Sequence, residues 1–298
     1  MNTKMVSPEY LLTLISFSCI SLMSLLGLNI ILGYTGQPWL GHAAFFGVGA
    51  YTSAILTKVY GLSFWAAFPL SMCMASLIGL SVGFICLRLK EDFLAIATIA
   101  LNFVIQGIIS LTPQLGGALG IGGVPPPQIL NYSITYSHYS VLALVICLLF
   151  LFVHIKLSHS WAGLAWKAIA GDDLVANVMG INVVRLRLVA VGIGCAYAGA
   201  SGSLYVHFTG FIHPIDLGFD QSILMVAALV FGGCGTTAGP TLGAVFATFF
   251  PELFRFASEY RLLIYGILLV LLVKYLPQGV LGAGSGVRAY LQRVVKGK

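Results

Sequence analysis

Long stretches without a charged side chain constrain the fold of this chain more than any other feature. Residues 93–155 contain no Lys, Arg, Asp or Glu, and neither do residues 10–57, 59–87, 188–215 and 221–251. Hydrocarbon excludes charge strongly, so apolar stretches of about 20 residues bounded by charges predict helices that cross a bilayer core roughly 30 Å thick. Only 8% of the residues are charged, against about 25% in soluble domains. The chain is therefore predicted to cross a membrane several times.

The continuous apolar character of these stretches favours helices, because the strands of a membrane barrel alternate apolar and polar residues. No Ser/Pro/Gly-rich linker and no block of charge divides the sequence, so residues 1–298 are expected to form one all-α integral membrane domain with about eight or nine transmembrane helices. The first apolar stretch is longer than a signal-peptide core and is expected to be retained. The candidate spans are 10–33, 41–58, 62–87, 93–112, 138–156, 187–210, 219–235, 237–252 and 261–276.

The basic residues predict how these spans are oriented. If the C-terminal tail 288–298 is cytoplasmic, the alternation of spans puts most of the 15 Lys and Arg residues on the cytoplasmic side, as the positive-inside rule requires. Only Lys58, Arg255 and Arg261 then lie outside. Eight spans keep Lys4 inside as well, whereas nine would place it outside. The charge rule therefore favours eight spans and a cytoplasmic N-terminus.

The segment least suited to cross as a continuous helix is 33–58, because residues 33–42 read GYTGQPWLGH. Broken backbone at membrane depth is tolerated only where protein or a water-filled cavity covers it. A discontinuous or re-entrant element is therefore expected here. Residues 232–244, GGCGTTAGPTLGA, have a similar character. With eight spans the two breaks would face opposite sides of the membrane, as in an inverted repeat, although shared Gly/Ala composition explains the likeness equally well.

Residues 157–187 form the largest predicted cytoplasmic segment. Its apolar residues recur at spacings of three and four, which predicts amphipathic helices: Trp161, Leu164, Ala168, Leu174, Val175, Val178 and Met179. The sequence GDD at 171–173 divides the segment in two, and an Asp there can cap the second helix, which Gly180 then ends. A helix near 172–180 lying on lipid would be rich in Lys and Arg. Because this one carries two Asp instead, a groove on a partner protein suits it better.

Several motifs, in order, resemble those of one known family. They are residues 33–37 with 40–51 (LGHAAFFGVGAY), 91–98 (EDFLAIAT), 176–182 (ANVMGIN), 198–205 (AGASGSLY), 232–244 and 277–282 (PQGVLG). Together they are similar to the membrane subunits of branched-chain amino-acid ABC importers, most closely the M-type permease. Two departures stand out: Pro38 and Trp39 replace a small residue of the family, and Leu174 stands near the place of the family's loop glutamate.

The resemblance implies an assembly. It implies a second, H-type permease subunit, two cytoplasmic ABC ATPases and an external substrate-binding protein, in a bacterial inner membrane, with no nucleic acid. In that arrangement the 172–180 helix would couple the permease to an ATPase. The residues expected to form the coupling element are Asp172, Asp173, Leu174, Val175, Ala176, Val178, Met179 and Gly180.

The sequence has no P-loop of the form G-x-x-x-x-G-K-[ST], whose Lys reaches the nucleotide phosphates. ATP and magnesium are therefore expected on the ATPase partners, and no cofactor, metal or catalytic residue is expected in this chain. A lone secondary transporter is the main alternative. Such carriers commonly bury a carboxylate within a span, whereas Asp216 and Asp220 stand at a predicted external helix entrance. An intramembrane enzyme is a third interpretation, without a supporting cluster of His, Cys or acidic residues.

A substrate path is expected near the first break. Gly36, Gln37 and His42 belong to it by position, and Asn102 and Gln106 share one face of the 93–112 helix, four residues apart. Each polar group has a plainer alternative: His42 can bond a backbone carbonyl, and the two amides can join neighbouring helices. Branched-chain amino acids are the expected substrates, with other hydrophobic amino acids, or urea and short amides, as alternatives.

Overall fold

The computed structural model describes residues 8–86, 91–129, 132–133, 136–253, 266–267, 270, 274 and 279–282. Its α-helices are α1 (Pro8–Leu28), α2 (His42–Lys58), α3 (Phe64–Cys86), α4 (Glu91–Leu111), α5 (Tyr136–Ser158), α6 (Trp161–Gly171), α7 (Asp173–Val178), α8 (Val183–Thr209), α9 (Phe219–Gly232) and α10 (Gly239–Leu253). A π-helix, Asn29–Tyr34, continues α1, and 3₁₀ turns cover Pro113–Leu115, Gly117–Leu119 and Pro214–Leu217. Two short antiparallel pairs join Ile121–Gly122 to Phe211–Ile212 and Gln128–Ile129 to Tyr132–Ser133.

Five helices in the described part of the chain are long and apolar enough to cross a membrane: Glu9–Tyr34, Phe64–Cys86, Phe93–Leu111, His138–Ser158 and Val183–Thr209. Two shorter apolar helices, Phe219–Gly232 and Gly239–Phe250, accompany them. The prediction of an all-α, multi-pass membrane protein is confirmed. The predicted span 261–276 lies almost wholly outside the described residues.

Helix α8 forms the centre of the bundle and packs against α1, α2 and α3. Its small residues allow this: a Cβ at Gly199 would lie 2.6 Å from Cβ of Ala75 on α3, and one at Gly202 would overlap the carbonyl oxygen of Phe46 on α2. In lipid, burial of apolar surface contributes little to the free energy of helix association, so helices gain packing energy by close approach of their backbones. The 198–205 motif thus forms the central packing surface.

Helix contacts define two faces of the molecule. We call the end of the bundle where α6 and α7 lie the loop face, and the opposite end, where α8 finishes at Thr209, the far face. Helix α1 is antiparallel to α8, since the Phe17 ring lies 5.2 Å from that of Phe208 and Gly27 packs on Gly194. Helix α1 therefore begins at the far face and ends at the loop face.

The segment 33–58 crosses the bundle in two pieces. Tyr34 lies at the loop face, where its hydroxyl is 3.2 Å from Nε2 of His154. Residues 35–41 then return irregularly to half depth, and α2 continues to the far face, where Lys58 Nζ donates to the Gly122 carbonyl. The predicted discontinuity is confirmed, and because α2 runs on to the far face, the described segment crosses the bundle instead of returning to the loop face as a re-entrant element would.

The N-terminal end of α1 consequently lies at the face opposite α6 and α7, contrary to the predicted orientation. That prediction depended on a single charge, Lys4, which lies outside the described residues. One basic residue carries little weight against the packing of a whole helix, and the antiparallel contact of α1 with α8 decides the matter.

The two Gly-rich breaks meet instead of facing opposite sides. Helix α9 runs parallel to α1, with Ser24 Oγ 3.4 Å from Met225 Sδ, and both helices break at the loop-face end. A Cβ at Gly235 would lie 2.9 Å from the Gly33 carbonyl oxygen. The expectation of breaks on opposite sides is wrong, because the helices that lead into them are parallel neighbours. An inverted repeat that pairs these two segments is not supported.

Candidate functional site

A cavity of about 140 Å³ lies between α1, α2, α8 and the start of α9, in the half of the bundle nearer the far face. Aromatic, hydroxyl, amide and carboxylate groups all border it. Its lining residues are Phe17, Ile20, Ser21, Ser24, Phe46, Tyr205, Asp216, Gln221 and Met225.

A second cavity of about 70 Å³ continues the first toward the loop face. The two share Ser21, Ser24, Gln221 and Met225, and the deeper one is otherwise lined by Leu25, Leu224, Ala228 and Ala247. We call the two together the α1–α9 groove. Its far end is polar and its inner end is apolar, so it matches a ligand with a polar head and an aliphatic tail.

Asp216 is the one charged residue that lines the described groove. It belongs to the turn Pro214–Leu217, where its Oδ2 accepts the His213 amide N–H at 3.0 Å in a capping box. The carboxylate is half-buried and forms no ion pair with a described basic residue. The turn therefore fixes a carboxylate at the far end of the groove, and no basic residue in the described part of the chain forms an ion pair with it.

Aromatic rings form the wall beside this carboxylate. The Phe46 and Tyr205 rings meet edge-on with centroids 5.4 Å apart, and Phe17 lies 6.3 Å from Tyr205. Phe46 comes from the 40–51 motif and Tyr205 from the 198–205 motif, so helix packing brings two sequence motifs together at the groove.

His42 lies behind the groove wall. It is fully buried, and its Nε2 is 3.0 Å from the carbonyl oxygen of Ser24, a residue that lines both cavities. This is the backbone-carbonyl alternative anticipated for His42, although the carbonyl belongs to α1 and not to the break. His42 can therefore shape the groove through Ser24 without bordering it.

Gln37 and Gly36 lie elsewhere in the first break. Gln37 is buried, and neither atom of its amide has a hydrogen-bond partner among the described residues. Gly36, with φ of +69°, lies at the loop face, where a Cβ would be 3.4 Å from Ala170 of α6. The structure thus spreads the three predicted residues of the break along the bundle axis instead of gathering them at one point.

Asn102 joins helices. Its Nδ2 donates to the Leu217 carbonyl at 2.8 Å, and its Oδ1 accepts from Ser222 Oγ at 3.3 Å. Ser222 Oγ in turn accepts the Ala43 amide N–H at the start of α2. Gln106 is half-buried beside Gly218. Asn102 therefore supports the turn that carries Asp216, which agrees with the helix-joining alternative, and neither amide lines the groove.

Asn29 closes the loop-face end between the two breaks. Its side chain is fully buried, donates to the Thr236 carbonyl at 2.9 Å and accepts the Gly235 amide N–H at 2.9 Å. One amide thus satisfies a free carbonyl and a free N–H of the second break. The lining of the α1–α9 groove reaches Leu25 and Ala228, and this junction lies beyond them toward the loop face.

The segment 161–180 folds as two helices divided at Asp172. The Asp172 carboxylate caps α7 by accepting the N–H groups of Leu174 and Val175 at 2.8 and 3.2 Å, as predicted. Asp173 pairs with Arg187 at 2.7 Å, and Gly180 adopts a φ of +83°.

The apolar face of α7 is open to the surroundings. Ala176 is buried against the bundle, whereas Val178 is 89% exposed and Leu174 77%. Val175 and Met179 are exposed beside them. The predicted amphipathic pattern is present, but the larger apolar side chains are exposed and only the small Ala176 is buried against this chain.

Comparison with known proteins identifies the family. The model of a family described as "Branched-chain amino acid transport system / permease component" matches residues 10–273. The chain belongs to this family. No solved structure matches it.

Two M-type permeases are similar to this chain. The high-affinity branched-chain amino acid transport system permease protein LivM of Escherichia coli, and that of Salmonella typhimurium, are each 32% identical over 281 residues. The alignments cover 86% of this chain and 66% of each relative, so the chain spans about two thirds of their length. LivH of E. coli is 26% identical over 282 residues, which cover 86% of this chain and 89% of LivH. The greater identity favours the M type.

Sequence reasoning about this permease missed the groove residues Ser21, Ser24, Tyr205 and Gln221, and the junction residue Asn29. A local signal exists for some of them, because Ser21 and Ser24 are polar residues one turn apart in an apolar helix. Nothing in the sequence pairs them with α9, whose residues are some 200 positions away.

Proposed function

We propose that this chain is the membrane-spanning permease subunit of an ATP-binding-cassette importer that moves branched-chain or other hydrophobic amino acids across a bacterial inner membrane. The α1–α9 groove carries the proposal: a carboxylate and hydroxyl groups at its far end and aliphatic side chains at its inner end suit an amino acid with an apolar side chain. The names of the relatives, all permeases for branched-chain amino acids, support the same substrate class.

The partners follow from the exposed face of α7. Four neighbouring apolar side chains, at Leu174, Val175, Val178 and Met179, are exposed on a short helix without Lys or Arg. Helices that lie on anionic lipid use basic residues, so a protein groove is the better cover. We assign the surface that covers α7 to an ABC ATPase. Two such ATPases would bind ATP and magnesium in the importer. An H-type permease and an external binding protein complete the importer.

The orientation follows from the same assignment. ATPase partners are cytoplasmic, so the loop face is cytoplasmic and the far face is external. Residues 279–282 pack at the loop-face end of α9, where the Leu281 amide N–H donates to the Gly232 carbonyl at 3.1 Å. The tail 288–298 lies outside the described residues, and this contact supports a cytoplasmic location for it within the proposal.

The mechanism then has two stages. The groove lies in the half of the bundle nearer the far face, which this proposal makes external, and Asn29 with the two breaks lies between the groove and the loop face. Substrate would therefore enter the groove from outside, and the Asn29 junction would act as the inner gate. Closure of the ATPases on ATP would move α7 and, through Arg187 and α8, the central packing surface. Opening of the Asn29 junction would then release substrate inward.

Reconstitution tests this function. The chain should be purified with the H-type permease and ATPases encoded beside it, and placed in proteoliposomes with the neighbouring binding protein. Uptake of labelled leucine, isoleucine or valine that requires ATP supports the proposal. Uptake of urea but not amino acids would favour the amide alternative, and uptake by the chain alone, driven by an ion gradient, would identify a secondary transporter.

A further inference from the structure

We infer that Asp216 binds the α-ammonium group of the transported amino acid at the external end of the α1–α9 groove. This inference rests on the proposed function and deepens it, because it names the chemical group that the groove recognises and the residue that does so.

The charge of Asp216 is the first support. One of its carboxylate oxygens accepts the His213 amide N–H, and no ion pair with a described basic residue neutralises the group. A half-buried carboxylate with neighbouring aromatic rings has lost part of its hydration, so a cation at this point is favoured. A second carboxylate oxygen remains to accept an N–H of that cation.

The aromatic wall is the second support. Phe46 and Tyr205 line the same cavity as Asp216, with ring centroids 5.4 Å apart. The faces of aromatic rings attract ammonium groups through their negative quadrupole. A carboxylate together with two rings therefore selects a primary ammonium over a neutral amide such as urea.

The shape of the groove is the third support. Below Ser21 and Gln221, the lining becomes aliphatic at Leu25, Leu224 and Met225. A ligand whose ammonium lies at Asp216 can place its carboxylate near the hydroxyl and amide groups and its side chain on the aliphatic surface. The volume of the external cavity, about 140 Å³, is well below the roughly 300–1,000 Å³ of pockets for drug-sized ligands, so the cavity suits a small ligand such as an amino acid.

Protection of a cysteine tests the inference without the binding protein. Ser21→Cys, in the assembled permease and ATPase complex, is labelled with a small neutral thiol reagent while leucine is titrated. We expect leucine to slow the labelling, and Asp216→Asn to raise the leucine concentration for half-protection about tenfold or more, as for loss of a charge-assisted hydrogen bond. Asn keeps the size and the acceptor for His213. Labelling of the parent protein, which keeps Ser21, measures the background from its six native cysteines.

Three controls sharpen the test. Asp220→Asn removes an exposed acid that does not line the groove and should leave protection unchanged. Asp216→Glu, which keeps the charge, should protect better than Asp216→Asn. Among ligands, 3-methylbutylamine should protect, whereas 4-methylpentanoate, which is leucine without its amino group, should not.

The inference is overturned by equal protection by leucine with and without the Asp216→Asn substitution, or by protection by 4-methylpentanoate equal to that by leucine. A groove in which leucine never slows the labelling overturns it as well. Uptake by the unmodified importer separates this failure from a failure of the proposed function. If the importer moves amino acids and Asp216→Asn changes nothing, only the ammonium site is wrong; if it moves none, both proposals fall.

Discussion

The far-face and loop-face ends of the α1–α9 groove differ in how their polar groups are paired. At the far-face end, the Asp216 carboxylate has no described basic partner, and Ser21 and Gln221 line the cavity. At the loop-face end, Asn29 is fully buried and uses both ends of its amide between the two breaks. Helix α1 contributes to both ends. The difference teaches that one helix can leave polar groups available at one end and tie the neighbouring segments together at the other.

Helix α1 reaches both ends of the groove, and its loop-face end is wound differently from the rest. At Asn29 the α-helix becomes a π-helix, and the chain then leaves the helix at Thr35. π-Helical turns are frequent at functional sites. Here the wider turn accompanies the side chain that joins the two breaks, whereas the regular turns of α1 above it leave room for the groove.

The largest effect is expected when the Asn29 junction is broken. Asn29→Leu leaves the half-buried Gly235 N–H and the buried Thr236 carbonyl without their bonds to the amide, at a cost of about 1–3 kcal/mol for a fully buried group. We expect leucine uptake to fall about 100-fold and preloaded leucine to leak from proteoliposomes without ATP. Ser16→Ala, which removes a buried hydrogen bond to Ser140 in the half nearer the far face, should change uptake little. A sealed, fully active Asn29→Leu importer would show that the junction is not the gate.

Next in size is the effect of charging the apolar face of α7. In the proposed contact between α7 and an ATPase, Val178→Asp would force a carboxylate to lose its hydration, so retention of the ATPase on purified complexes should fall about thirtyfold. Asn177→Asp adds the same charge on the same helix at a residue that is already polar and exposed, and it should be tolerated. Equal ATPase retention in both variants would revive the interpretation of α7 as a helix lying on the membrane surface.

A smaller effect is expected from the turn that follows α7. Gly180→Val places an L-residue at φ of +83°, which costs about 1–2 kcal/mol, although a Cβ there meets no atom within 4 Å. Coupling of ATP hydrolysis to uptake should fall about fivefold. Gly171→Val is the matched control, because it also meets open space but has no positive φ. The same loss in both variants would attribute the effect to side-chain size and not to the backbone.

The smallest effect is expected at His42, behind the groove wall. His42→Ala removes one hydrogen bond to the Ser24 carbonyl, worth about 0.5–1.5 kcal/mol, and should lower uptake about threefold while the complex stays assembled. His138→Ala, at an exposed position of α5, serves as the comparison. Wild-type transport by the His42 variant would remove this residue from the site.

The sequence predicted more of the helices than of the groove. The predicted spans 93–112 and 138–156 have bounds within a few residues of those of α4 and α5. Asp172 caps the start of α7 and Gly180 follows its end, as predicted. In each case the signal is local: an apolar stretch, a capping carboxylate, a glycine. The prediction that the start of α1 lies on the same face as α6 and α7 was wrong, because it depended on one basic residue, whereas the packing of α1 against α8 sets the direction of the helix.

The bilayer explains this division. Hydrocarbon penalises each charged or open backbone group separately, so the sequence by itself determined that the chain is a multi-pass helical protein with one break near residues 33–41 and a capped helix after Asp172. The tertiary structure alone decided that both breaks meet at Asn29, that Asn102 supports a turn, and that Asp216 faces a groove. These are relations between residues such as Ser24 and Met225, which are 201 positions apart. The packing of the helices around the small residues of α8 determines such partners, and no local sequence pattern predicts them.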